Sequence, residues 1–105
     1  MARFDVHRNP GAHASTTPYL LEVQSPVLDG LDSRMVIPMR RLSDFPKVKL
    51  PHRLTPVFSI EGEACLLETP KMGAVPRRHL STPVLSLADQ QDQIMAALDF
   101  LFHGY

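Results

Sequence analysis

The sequence predicts a mainly β fold closed by a single C-terminal α-helix. Ten prolines are spread through 105 residues. Proline breaks helix interiors and central strands, which holds regular elements to short pieces. Between the prolines lie short runs of alternating apolar residues bounded by turn formers, the pattern of strands with one buried face. Only the segment between Pro83 and Gly104 is long and free of both proline and glycine, and it carries helical periodicity. A sheet interrupted this often buries its apolar face by curling into a small barrel or sandwich.

The first strand is expected over residues 3–7, with Phe4 and Val6 on one face and Arg3, Asp5 and His7 on the other. Residues 8–18 are a polar loop turned by Pro10-Gly11. A second strand over 19–24 places Tyr19, Leu21 and Val23 on one side. The loop that follows, residues 25–32, carries an unusual apolar pair, Val27-Leu28. Arg34-Met35-Val36-Ile37 is a short apolar run before Pro38, continued past a bend by residues 39–42, and 43–53 reads as irregular. Residues 54–60 and 63–69 flank Glu61-Gly62, a tight hairpin turn. Met72-Gly73-Ala74-Val75-Pro76 adds one more short strand.

The last segment differs in kind. Ser86 followed by Asp89 resembles a capping box, and Asp89 and Asp92 suit the positive end of a helix dipole. Ile94, Ala97, Leu98, Leu101 and Phe102 recur at i, i+3, i+4, i+7 and i+8, a single apolar stripe. Met95 and Phe100 widen the apolar surface beyond one core contact, and Gly104 is placed to stop the helix. His103, Gly104 and Tyr105 then form a tip on an ordered helix, a suitable contact patch because aromatic residues concentrate at interface hot spots.

Composition bounds the function. The chain is 44% hydrophobic and 21% charged, ordinary for a globular protein, and its length suits one domain over residues 1–105. Eleven basic residues balance eleven acidic ones, so no overall field draws it to nucleic acid or an anionic membrane. No segment approaches the ~20 apolar residues of a membrane span. The first residues lack the apolar run of a signal peptide, which makes the cytoplasm the expected location. Cys65 has no cysteine to pair with and sits among apolar neighbours, as an inert thiol in a buried strand would.

No constellation of reactive residues stands out. The glycines never form a phosphate-cradling pattern, and His7, His13, His52, His79 and His103 lack metal-ligand spacing. Neither a cofactor nor a metal is expected. Ser43-Asp44 and the Asp29/Asp32 pair read as turn chemistry. Arg40-Arg41 and Arg77-Arg78-His79 suit an anion or an RNA backbone, or simply a solvated charged face.

Several of these segments resemble one family in order and spacing. Ser33-Arg34-Met35-Val36-Ile37-Pro38-Met39 is similar to the R-M-V-I-P-L strand of the CcdB family, toxins of bacterial toxin–antitoxin pairs. Phe4-Asp5-Val6 and Leu21-Glu22-Val23-Gln24-Ser25 resemble its first two strands, Pro56-Val57 through Ile60-Glu61-Gly62-Glu63 its central hairpin, and Met72 to Pro76 the strand after it. Ile94, Ala97-Leu98, Leu101-Phe102 and Gly104 align without gaps to its helix.

The resemblance implies a small SH3-like β-barrel of the CcdB/MazF-Kid type that forms a homodimer. It implies a toxin that binds the A subunit of DNA gyrase and traps its cleavage complex with DNA, with no catalytic residue of its own. A cognate CcdA-like antitoxin would neutralise it, and operator DNA would be met only through the antitoxin complex. Carried over by position, gyrase contact falls to His103, Gly104 and Tyr105, to Asp99 on the outward helix face, and to Ser25, Val27 and Leu28 in the loop after the second strand. The family's gyrase poisons end in Trp-Gly-Ile, whereas this chain ends His103-Gly104-Tyr105. Two alternatives remain open at this point. One is a MazF/Kid-type endoribonuclease on the same fold, with Arg77, Arg78 and His79 as its candidate groups. The other is a non-toxic chromosomal homologue that binds antitoxin and regulates its operon.

Overall fold

The prolines and glycines punctuate the chain into short elements, and the computed structural model describes them over residues 2–45 and 51–104. Among the described residues the strands are β1 (Asp5–Arg8), β2 (Tyr19–Glu22), β3 (Ser33–Arg41), β4 (Val57–Ile60), β5 (Glu63–Leu67), β6 (Gly73–Pro76) and β7 (Leu85–Ser86), followed by the helix α1 (Gln91–His103). All pair antiparallel, in the order β4-β5-β3-β2-β1-β7, with β6 also against β3.

β3 is the spine. One of its edges pairs with β2; the other takes β6 along Ser33–Val36 and then β5 along Met39–Arg41. The expected bend at Pro38 is absent, and β3 runs straight through it. Val23 N–H donates to Met35 O, so odd-numbered β3 residues exchange bonds with β2. The missing N–H of Pro38 therefore faces the opposite edge, in the gap between β6 and β5. There the Pro38 carbonyl accepts from Glu68 N–H at 2.9 Å, and no bond to β2 is lost.

The sheet is nearly closed and barrel-shaped. Glu61 and Gly62 both have positive φ, 53° and 82°, the two-residue turn whose twist suits a hairpin. The Glu61 carboxylate accepts from Tyr19 Oη at 2.6 Å and from Arg8 Nη2 at 3.0 Å. The tip of the β4–β5 hairpin is thereby tied to β1 and β2. Val6, Leu21, Ile37, Met39, Ile60 and Leu67 fill the interior, and Ile94 and Ala97 of α1 complete it. Each fully buried aliphatic side chain of this size contributes about 1.5–3 kcal/mol.

The tie at the hairpin tip has a pH signature. Burial, together with the Glu61 carboxylate, pushes the Tyr19 phenol up to about 12 from its ordinary 10.0. The Tyr19 hydrogen bond, helped by Arg8, holds Glu61 below the usual carboxylate range. A phenol raised in the folded state contributes stability that is intact below the unfolded value and lost as pH climbs from there towards the folded one. The urea midpoint should therefore fall more steeply between about pH 10 and about pH 12 in the wild type than in Tyr19→Phe. Parallel falls in the two proteins would contradict this.

Several sequence expectations need correction. The face of β1 opposite Val6 is not a solvent face: His7 on it is fully buried, because both faces of β1 and β2 are covered. Leu20, Val36 and Leu80 form a second small core on the face opposite the main one. Ser86 does not cap α1. Its Oγ accepts from Ala88 N–H at 3.1 Å and so starts a 3-10 turn, Ala88–Gln90, with α1 beginning only at Gln91. The segment after Pro83 first pairs as β7 with β1, through Asp5↔Ser86 and Val6↔Leu85, a strand too short to show a period. Gly104 does end the helix, at φ 79°, with its N–H on Phe100 O. Phe102 leaves the buried stripe and is 66% exposed, since the last helical turn extends past the core.

Candidate protein interface

The loop after β2 is built from local turn chemistry. Pro26 has a preset φ suited to the first position of a helical turn, and it opens the 3-10 turn Pro26–Leu28. Ser25 Oγ accepts from Val27 N–H at 3.4 Å, and the Ser25 carbonyl accepts from Leu28 N–H at 3.0 Å. The turn lifts Val27 to 88% exposure, with Leu28 and Leu31 each about half exposed.

Two side chains outside the turn hold it in place. Gln24 Nε2 donates to Leu28 O at 3.3 Å and to Ser33 O at 3.2 Å, while its Oε1 accepts from Met35 N–H at 2.9 Å. From below, Arg34 donates through Nη1 to Leu31 O at 2.8 Å and through Nη2 to Asp29 O at 3.0 Å. Arg34 is itself buried, with Nε 3.5 Å from Glu22 Oε2, and His7 Nε2 lies 3.3 Å from Glu22 Oε1. An apolar loop in water is thus fixed from beneath by a buried ionic network, which lowers the ordering cost of binding anything to it.

α1 supplies the second part. Met95 and the exposed Asp99 lie one turn apart on one helix face, with Phe102 and the exposed His103 a further turn along. Arg3 joins this face to the root of the loop: its Nε donates to Val23 O at 3.1 Å, and its Nη2 reaches Met95 Sδ at 3.4 Å. Gly104 takes the left-handed conformation that a side chain would strain. Of the carried-over residues, Ser25, Val27 and Leu28 lie in the loop, Asp99 and His103 on α1 and Gly104 at its cap, and Tyr105 lies outside the described residues.

Sequence reasoning missed the support beneath the loop, namely His7, Glu22, Gln24 and Arg34. A signal was present: charged residues at Glu22 and Arg34 stand inside runs that otherwise read as buried strand.

The remaining chemistry is sparse. Burial, with Glu63 adding to it, pushes the Cys65 thiol up and away from the reactive thiolate. Arg77–His79 form one exposed 3-10 turn after β6. Among the described residues no group of three or more His, Cys, Asp or Glu is arranged to hold a metal ion, and no helix is long and apolar enough to cross a membrane.

An exposed, pre-fixed apolar loop suits recognition of a protein. The comparison with known families agrees with the order of strands and helix: the model for CcdB protein matches residues 3–104. With nearly its whole length matched, the chain belongs to the CcdB family, that of the toxins of CcdA/CcdB-type pairs.

Proposed function

We propose that this chain acts as a toxin by binding the A subunit of DNA gyrase and trapping its cleavage complex with DNA, without catalysing a reaction itself. The observation that carries the reading is the Ser25–Leu28 turn. A soluble protein gains nothing in its own stability from holding Val27 at 88% exposure, whereas a rigid apolar anchor is what a binding hot spot requires. Asp99, His103, Gly104 and Tyr105 extend the surface along the helix. The exposed Phe102, on the far turn of α1, suits a homodimer contact. A CcdA-like antitoxin is the second partner, operator DNA is met through the antitoxin complex, and the cytoplasm is where gyrase is found.

Calorimetric titration against a gyrase A fragment tests the reading. The wild type should bind, and Val27→Asp should weaken binding by about 30-fold or more, the loss typical of a hot spot. The fold should be untouched, because Val27 has no buried contacts to lose. Failure of the wild type to bind the fragment would overturn the proposal.

A further inference from the structure

A second concave site lies between the β1–β2 loop and the outer edge of β3, and it shares no residue with the Ser25–Leu28 turn or the helix tip. It encloses about 400 Å³, within the range of small-molecule pockets. Leu20 and Pro38 give it an apolar floor; Arg40, Lys71 and Glu68 give it charge, and His13 lines it as well. One wall is rigid. Asn9 Nδ2 donates to Thr17 O at 2.8 Å, Thr17 N–H donates to His13 O at 2.8 Å, and Arg41 ties the same loop through Thr16 O and Ser15 O.

Arg40 is the unexplained group. Its neighbour Arg41 is paired with Glu63 at 2.8 Å, and Glu68 is engaged by Lys71 at 3.6 Å. Arg40 has no ion-pair partner among the described residues, and its Nε is buried with no hydrogen bond at all. A guanidinium that lines a pocket without an ion-pair partner offers its outer fork to a planar oxyanion. The charge of the lining selects among oxyanions. Arg40 and Lys71 against Glu68 leave one net positive charge, which matches a monoanion, and a dianion would meet the Glu68 carboxylate.

We infer that this pocket binds a small organic monocarboxylate, with its carboxylate on Arg40 and its hydrocarbon part on Leu20 and Pro38. The test is an NMR titration of the full chain with sodium isobutyrate at constant ionic strength, following the backbone amide signal of Leu20, which lines the pocket, with inorganic phosphate in a parallel titration. The expected result is a saturable shift of that signal, with phosphate binding about tenfold more weakly. Arg40→Gln should raise the isobutyrate Kd about tenfold or more. Arg40→Lys, which keeps the charge and the stem but loses the fork, should fall between them and covers the case in which the glutamine variant does not fold. A signal that does not saturate, or an unchanged Kd in either folded variant, would overturn the inference. Phosphate binding as tightly as isobutyrate would overturn the monocarboxylate assignment.

Discussion

Glu22→Ala is expected to lower the stability of the fold by about 3–5 kcal/mol, the cost of breaking a buried ion pair by removing one partner. Glu22, His7 and Arg34 are all at most 3% exposed, so the two groups left behind would have no water to turn to. The His7 ring adds to this. Its Nδ1 lies 2.7 Å from Ser81 O, which only accepts, and its Nε2 faces the Glu22 carboxylate. Nε2 has no other partner among the described residues once the carboxylate is gone. Arg34 Nε makes no hydrogen bond of good geometry, and Glu22 is its buried counter-charge, Asp29 being half exposed and 3.8 Å from Nη2.

Urea denaturation gives the number, and a loss below about 1 kcal/mol would mean that the network carries little of the fold. Replacing the whole triad with apolar residues of similar volume should cost far less than the single change, since it removes the stranded charges. That triple variant separates stability from function. It lacks the guanidinium that holds the carbonyls of Leu31 and Asp29, so it should fold yet bind gyrase A more weakly.

His103→Trp combined with Tyr105→Ile is expected to strengthen toxicity and to tighten gyrase A binding by about 30-fold, the effect of restoring one hot-spot side chain. In the family's gyrase poisons the tip reads Trp-Gly-Ile, and its tryptophan stacks on a gyrase arginine. Tryptophan is the best side chain for cation–π contact. In this chain His103 occupies the last turn of α1, and Gly104 keeps the left-handed cap that directs the chain end. The exchange therefore alters chemistry at the tip without altering the backbone that presents it. Growth arrest at a lower level of expression than the wild type needs is the expected readout. An unchanged arrest threshold, with unchanged affinity, would show that the tip takes no part in binding.

The sequence made the architecture legible because the fold is set by local punctuation. Pro10-Gly11, Glu61-Gly62 and Gly104 each mark a turn or stop that the structure contains. The strand Val57–Ile60 alternates as a half-buried strand does. What could not be read is what depends on a partner far along the chain. Alternation does not say whether the face that holds the polar His7 is covered; only Ser81 and Glu22, 74 and 15 residues away, make its burial tolerable. β7 is two residues long and exists because β1 offers an edge. Pro38 reads as a break until β5 and β6 are seen to divide the edge it faces.

The site follows the same division. Val27-Leu28 stood out as an apolar pair in a loop, yet nothing in the local sequence says that the loop is rigid. That rigidity comes from Gln24 and Arg34, which reach across to carbonyls in the loop and at its far end. The Arg40 pocket was equally hidden, since Arg40 and Arg41 are adjacent in sequence and differ only in that one has a carboxylate within reach.

The most direct test is to incubate the purified chain with DNA gyrase, supercoiled plasmid and ATP, then denature and separate the DNA. Linear plasmid that increases with the concentration of the chain, and is diminished in Val27→Asp, is the expected result. Plasmid that stays intact at every concentration, from a chain that also shows no affinity for the gyrase A subunit, would contradict the gyrase reading.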